Sequence, residues 1–194
     1  MANPDIFLAS NSPRRRELLA QIGVRFGVIA VDLDEAPLGG ESPEDYVLRV
    51  ALDKARAARE VASGQPVLPI LAADTAVVID GQILGKPRDR ADAARMMRLL
   101  SGRTHRVLSG IALVGAQETQ ELSISEVTFR DVPPEEAHAY WKTGEPADKA
   151  GGYGIQGVGA LFVRELRGSY SGVMGLPLFE TAALLSASGI AILA

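Results

Sequence analysis

Asp74 is the lone charge in a run of small and β-branched residues that opens the stretch Ile70 to Asp89. That run has the length and composition of a buried strand. A carboxylate inside it must meet a cation, a metal or a dense set of donors, because an unpaired buried charge is costly. Thr75 follows it directly, and Asp80-Gly81 supplies a favoured two-residue hairpin turn. Past the turn, Gly85-Lys86-Pro87-Arg88 sets a lysine and an arginine near the end of the return strand. The hairpin can thus carry a carboxylate and an ammonium to one mouth. The competing reading is a structural ion pair at a sheet end.

A second group begins at Ser10-Asn11-Ser12-Pro13-Arg14-Arg15-Arg16. Ser12 is a good N-cap and Pro13 fits the first helical position, so a helix starts here and ends at Gly23. Its first turn carries three arginines, against the positive end of the helix dipole, at about 0.3–1 kcal/mol each when exposed. Free backbone amides, small serine side chains and an arginine cluster form a cradle for an anion, most simply phosphate. Three solvated arginines are the bland alternative.

The remaining elements position these groups. Ile6 to Ala9 reads as a short buried strand, and Val28 to Asp32 as a second. Asp34-Glu35 lie in a following loop, where an acidic pair is by itself ordinary surface. Ser42-Pro43 starts a helix that runs to about Val61. Lys54 falls on its apolar stripe of Val47, Val50, Ala58 and Val61, either snorkelling or reaching a buried anion. Gly64-Gln65-Pro66 separates this helix from the hairpin. Asp89 caps a third helix with Ala93, Met96, Met97 and Leu100 on one face. His105 to Val114 and Glu121 to Val132 alternate like paired strands, with His105 structural. A fourth helix opens at Pro133-Pro134, with Ala137, Tyr140 and Trp141 inward and His138 toward solvent. The segment Glu145 to Gly159 is glycine-rich and holds Asp148, Lys149, Tyr153 and Gln156 in fixed register, which suits a ligand wall. It is not a P-loop of the G-x-x-x-x-G-K-[ST] type. A strand at Leu161 to Leu166 and a helix from Pro177 to Ser186 complete the chain.

Composition narrows the classes. The 194 residues suit one large domain or two closely packed lobes, and 47% apolar content supports a full core. Absence of cysteine excludes disulfides, a thiolate nucleophile and Cys-based zinc sites. The two histidines lack ligand spacing, so any metal is a hard cation held by oxygen. A net charge of −4 argues against nucleic acid polymers and acidic membranes as partners. No signal peptide or membrane span is read, which makes the cytoplasm the expected location.

Ser10-x-Ser12-Pro13-Arg14-Arg15 with Glu17-Leu18-Leu19, Ala73-Asp74-Thr75, Gly85-Lys86-Pro87, Ser101-Gly102, and Glu145-x-x-Asp148-Lys149-Ala150-Gly151 through Gln156-Gly157 together resemble the Maf family. The resemblance covers essentially the whole chain as a single Maf-like domain, 1–194. It implies an α/β fold like that of inosine triphosphate pyrophosphatases, a mixed twisted sheet flanked by helices in two lobes around a central cleft. Asp74-Thr75 and the Tyr153 to Gly157 loop resemble the subgroup acting on dTTP and UTP. Ala73 and Gly152 depart from it by small-for-small changes. The implied roles are catalytic for Asp74, Lys54 and Lys86, and substrate-binding for Ser10, Arg14, Arg15, Thr75 and Gln156. Mg²⁺ or Mn²⁺ would be held by Glu35 and Asp74. The implied partner is a nucleoside triphosphate, and a homodimer is admitted. Two other functions stand beside this one: a pyrophosphatase for 7-methyl-GTP, and a non-catalytic, nucleotide-sensing regulator of septum formation. Asp74, with a reference pKa near ~3.9 that adjacent lysines would lower, is expected to be a poor base for bulk water. Whether it acts as base or as a metal ligand that orients water is open at this level.

Overall fold

The computed structural model describes residues 3–63 and 68–192. The expected break at Gly64-Gln65-Pro66 lies outside them. Strands and helices alternate: β1 (Ile6–Leu8), α1 (Pro13–Gln21), β2 (Phe26–Val28), α2 (Pro43–Val61), β3 (Ile70–Ile79), β4 (Gln82–Leu84), α3 (Arg90–Leu100), β5 (Thr104–Val114), β6 (Glu118–Phe129), α4 (Pro134–Trp141), β7 (Val163–Arg167), α5 (Tyr170–Met174) and α6 (Leu178–Ala187). The sheet runs β2-β1-β3-β5-β6-β7, with β4 also on β3. It is mixed, as expected. β1 pairs parallel with β2 and β3, whereas β3–β4 and β6–β7 are antiparallel.

Local chemistry sets the element starts. Ser12, Ser42 and Asp89 each cap a helix by accepting a backbone N–H three residues on. The β3–β4 hairpin turns at Asp80 and Gly81, both left-handed with φ of 51° and 74°. This is the geometry that an Asp-Gly turn favours. Arg103 donates to the Asp80 carboxylate at 2.7 Å, which ties the turn to β5.

Several boundaries differ from the sequence expectation. The second strand is Phe26–Val28, earlier than Val28 to Asp32. After Ile29 the chain turns on its own side chains, with Asp34 Oδ1 accepting from Ala36 N–H at 2.9 Å. Val61 leaves the apolar stripe of α2 and is 61% exposed. His138 and Trp141 are both half-buried. The Gly-rich segment contains short 3₁₀ turns at Glu145–Asp148, Ala150–Gly152 and Val158–Phe162, which delay the last strand to Val163.

Residues pack into two compact units. The first comprises Met1–Asp74, Ser109–Ser123 and Gly175–Ala194, and its core joins Phe7, Ile29, Ala51, Ala55, Ala58 and Ile70. Alanines on α2 bring that helix close to its sheet strands. A Cβ on Gly110 of β5 would lie 2.5 Å from the Val47 carbonyl oxygen, so only glycine permits this approach. The second unit comprises Thr75–Leu108 and Ile124–Met174, around Met96, Met97, Leu100, Phe129, Tyr153 and Phe162.

Candidate active site

Two turns beyond Val47, the same face of α2 presents Lys54. Its ammonium lies 2.8 Å from Asp74 Oδ1 and 2.8 Å from Glu35 Oε1. Asp74 is 5% exposed and Lys54 9%, while the Glu35 side chain is 44% exposed. The lysine on the stripe therefore reaches a buried anion rather than snorkelling. It bridges a carboxylate inside the first unit to one at the solvent side.

Burial pushes the Asp74 carboxyl above its ordinary pKa, against the pull of Lys54 and Arg15. This corrects the expectation that neighbouring cations make it a weaker base. Desolvation disfavours the charged form more than those cations favour it. The raised value suits a group that must accept a proton.

Helix α1 starts as its sequence predicts. Ser12 N–H donates to the buried Ser10 Oγ at 3.1 Å, and Ser12 Oγ caps Arg15 N–H. Arg14 and Arg15 are half-buried, while Arg16 is exposed. Burial lowers the Arg15 pKa, with Asp74 and Glu35 acting in the opposite sense, so its guanidinium belongs to the same charge cluster. Arg15 Nε also donates to the Gly175 carbonyl at 2.8 Å. The arginines are thus not equivalent. Arg15→Ala should destabilise the ligand-free protein by about 1.5–3 kcal/mol, the usual worth of a charged hydrogen bond. Arg14→Ala should change the melting temperature less, since it removes a cation from a positive helix end. Thermal unfolding of both variants checks this, and an unaltered midpoint for Arg15→Ala would refute the Gly175 anchor.

Sequence reasoning missed Tyr46. It is buried on α2, and burial, with the charges of Asp74 and Glu35, raises its phenol to about 12. The phenol therefore stays protonated, within the field of both carboxylates. The available signal was its spacing, since Tyr46, Val50 and Lys54 recur every four residues. Arg49 was also passed over. It grips Glu41 with two bonds of 2.6 and 2.9 Å, reaches the Ala36 carbonyl at 3.2 Å, and lies over the Tyr46 ring. This arrangement holds the loop that carries Glu35.

The other predicted residues lie in the second unit. Thr75 follows Asp74 on β3 and is half-buried. Lys86 is exposed in the turn after β4, and Gln156 is exposed in the Gly-rich segment. Gly151 N–H donates to the Gly85 carbonyl at 3.0 Å, which links the turn of Lys86 to that segment. The structure thus joins Glu35, Lys54 and Asp74 directly, with Arg15 electrostatically coupled. It places Lys86 and Gln156 on connected loops.

The donor set fits a hard divalent cation. Glu35 and Asp74 already converge on one nitrogen. Mg²⁺-type sites use one or two carboxylates completed by substrate phosphates and water. Among the described residues no group of three or more His, Cys, Asp or Glu side chains forms a protein-only cage.

A buried carboxylate paired with a lysine, near an arginine-bearing helix start, suits chemistry at a phosphate group. Residues 5–188 match the family described as Maf-like protein. The chain belongs to the Maf family. It is 57% identical to a dTTP/UTP pyrophosphatase of Saccharophagus degradans over 94% of this chain and 88% of that one. Identity is 56% to the dTTP/UTP pyrophosphatase of Alkalilimnicola ehrlichii, over 94% of this chain and 92% of the other. Among solved structures it is similar to a nucleoside-triphosphatase / dITP/XTP pyrophosphatase from Mycobacterium abscessus, 20% identical over 95% and 94% of the two chains, at a TM-score of 0.43. No helix among the described residues is long and apolar enough to cross a membrane.

Proposed function

We propose that the protein is a nucleoside triphosphate pyrophosphatase that hydrolyses dTTP and UTP to the monophosphate and pyrophosphate. The observation that carries this reading is the buried Asp74, raised in pKa and bridged by Lys54 to Glu35. Relatives 53–57% identical that are named dTTP/UTP pyrophosphatase support the substrate class. Removing pyrimidine triphosphates from the nucleotide pool is the role this activity implies. The intact set of Asp74, Lys54 and Glu35 favours an enzyme over a nucleotide sensor, which could lose Asp74 without penalty.

In this reading the triphosphate charge is matched by Arg14 and Arg15, with Ser10 and the α1 amides at its end. Asp74 accepts a proton from the water that attacks the α-phosphorus. The bond from that phosphorus to the αβ-bridging oxygen breaks, and pyrophosphate leaves with the bond's electron pair. Lys54 fixes the Asp74 oxygen that faces it and offsets negative charge. Asp74 later returns the proton to solvent. Glu35 and Asp74 would hold a Mg²⁺ or Mn²⁺ ion, which when bound would supply acidification of the water and charge neutralisation of the leaving group.

Base choice rests on Gln156 and Thr75. Uracil and thymine present O4 as acceptor beside N3–H as donor, and a glutamine amide offers the complement. Cytosine inverts that edge, so a fixed amide leaves buried groups unpaired, a large source of discrimination. The test is a panel of the eight common nucleotides with Mg²⁺ and Mn²⁺, scored for pyrophosphate against orthophosphate. Turnover of dTTP and UTP to pyrophosphate is expected, with dCTP and purines poor. Gln156→Glu should erode that ranking. Orthophosphate as product, or preference for GTP or 7-methyl-GTP, would overturn the assignment.

A further inference from the structure

The segment that carries Gln156 is gripped by a carboxylate that the proposed chemistry does not use. Glu145 Oε1 accepts from the Tyr140 hydroxyl at 2.7 Å and from Gly159 N–H at 3.1 Å. Its Oε2 accepts from Val158 N–H at 2.8 Å. The Tyr140 oxygen in turn accepts from Gly154 N–H at 3.0 Å. Three of these four bonds bracket Gln156, two residues before it and two and three residues after it, and the fourth joins the two gripping side chains. Each such charge-assisted bond is stronger than a neutral one.

The clamp is itself braced. Tyr140 is buried, with its ring edge-on to Phe162 at 5.0 Å. Lys149 Nζ donates to the Glu145 carbonyl at 2.8 Å and to Asp148 Oδ1 at 2.7 Å. The glycines are what allow the loop to close on it. A Cβ on Gly154 would lie 2.8 Å from Lys149 Cε, and one on Gly157 would run into the Glu145 carboxylate. Burial works to raise the Glu145 pKa, but the Tyr140 hydroxyl, the two amides and Lys149 outweigh it and hold the group ionised. On the near flank, the Tyr153 hydroxyl meets His105 Nε2 at 2.8 Å. Gln156 itself is exposed at the middle of this braced segment. A rigid backbone under a solvent-facing amide is how a recognition group is pre-organised.

We propose that Glu145, acting through Tyr140, is a positioning residue for base selection: it fixes residues 154–159 so that the Gln156 amide is presented in one orientation. This rests on the base-reading role of Gln156 put forward above. Glu145 touches neither phosphate nor water in that scheme, so its loss should alter discrimination and KM rather than the nature of the products.

The experiment measures kcat and KM for dTTP, UTP and dCTP on wild type, Glu145→Gln, Tyr140→Phe and Gln156→Glu, with melting temperature and near-UV circular dichroism for each. Glu145→Gln replaces one acceptor by a donor facing Val158 N–H, and Tyr140→Phe removes only the two phenol bonds. Both should lower the dTTP-to-dCTP ratio of kcat/KM by about tenfold, chiefly through KM for dTTP, with pyrophosphate still released. Glu145→Gln combined with Gln156→Glu should lose little more discrimination than Gln156→Glu alone. If Gln156→Glu shifts the ranking while a folded Glu145→Gln or Tyr140→Phe keeps the wild-type ratio, the clamp proposal is overturned. A uniform fall in kcat on all three nucleotides also overturns it, since a merely structural role predicts that. If Gln156→Glu leaves the ranking unchanged, the fault lies with the base-reading role. Should Glu145→Gln not fold, Tyr140→Phe alone decides, because it keeps the carboxylate on Val158 and Gly159.

Discussion

Asp74→Asn should lower kcat for dTTP by about 10²–10⁴, the range for loss of a general base. The substitution keeps size and leaves a carbonyl oxygen to face Lys54, whose other contact is Glu35 at 2.8 Å. The fold should therefore persist, and stability gives an independent check on sign. A carboxyl whose folded pKa lies above its unfolded value binds its proton more tightly when folded. Its contribution then falls as pH rises from the unfolded value to the folded one, and is unfavourable above both. Removing the charge relieves that cost at neutral pH. The melting temperature of Asp74→Asn should equal or exceed that of wild type at pH 7, with no gain well below pH ~4. Near-normal turnover in the folded variant would remove Asp74 from the chemistry. A marked fall in melting temperature would show that the carboxylate is there for the ion pair.

Lys54→Met should lower kcat by about 10²–10³, comparable to removal of one preorganised charge-stabilising donor. Its more telling effect is on pH. Lys54 is the largest of the influences that lower the Asp74 pKa against burial. Without it that pKa climbs further, so the acid limb of the kcat/KM profile should move to higher pH. Loss of the partner also leaves a buried carboxylate uncompensated, a change worth roughly 3–5 kcal/mol when the charge is retained. That loss should be greatest at neutral pH and shrink as Asp74 is protonated. An acid limb that stays in place in Lys54→Met would show that the titrating group is not Asp74.

Much of the site was legible because its signals are local. A lone Asp in an apolar strand, arginines at a helix start and a lysine on a buried stripe each break a nearest-neighbour rule, and such breaks concentrate where function requires them. Asp74, Arg15 and Lys54 were found in this way. Tyr46, Arg49 and Glu145 break no such rule. A tyrosine on a helix face, an arginine beside acids and a glutamate opening a turn are unremarkable as sequence. Their roles exist only through partners brought near by folding, as with Glu145 and Val158, thirteen residues apart.

The sequence by itself determined where helices begin and where β3 turns back, because caps and Asp-Gly turns are settled by backbone angles and side chains within a few residues. It also determined which residues are apolar enough to bury, and hence that Asp74 would be enclosed. The tertiary structure alone decided how deeply, and with that the direction of the Asp74 pKa. Cations can be counted along a chain, but desolvation depends on everything packed around a group. The same holds for Arg15, whose bond to Gly175 spans 160 residues, and for the single nitrogen on which Glu35 and Asp74 converge.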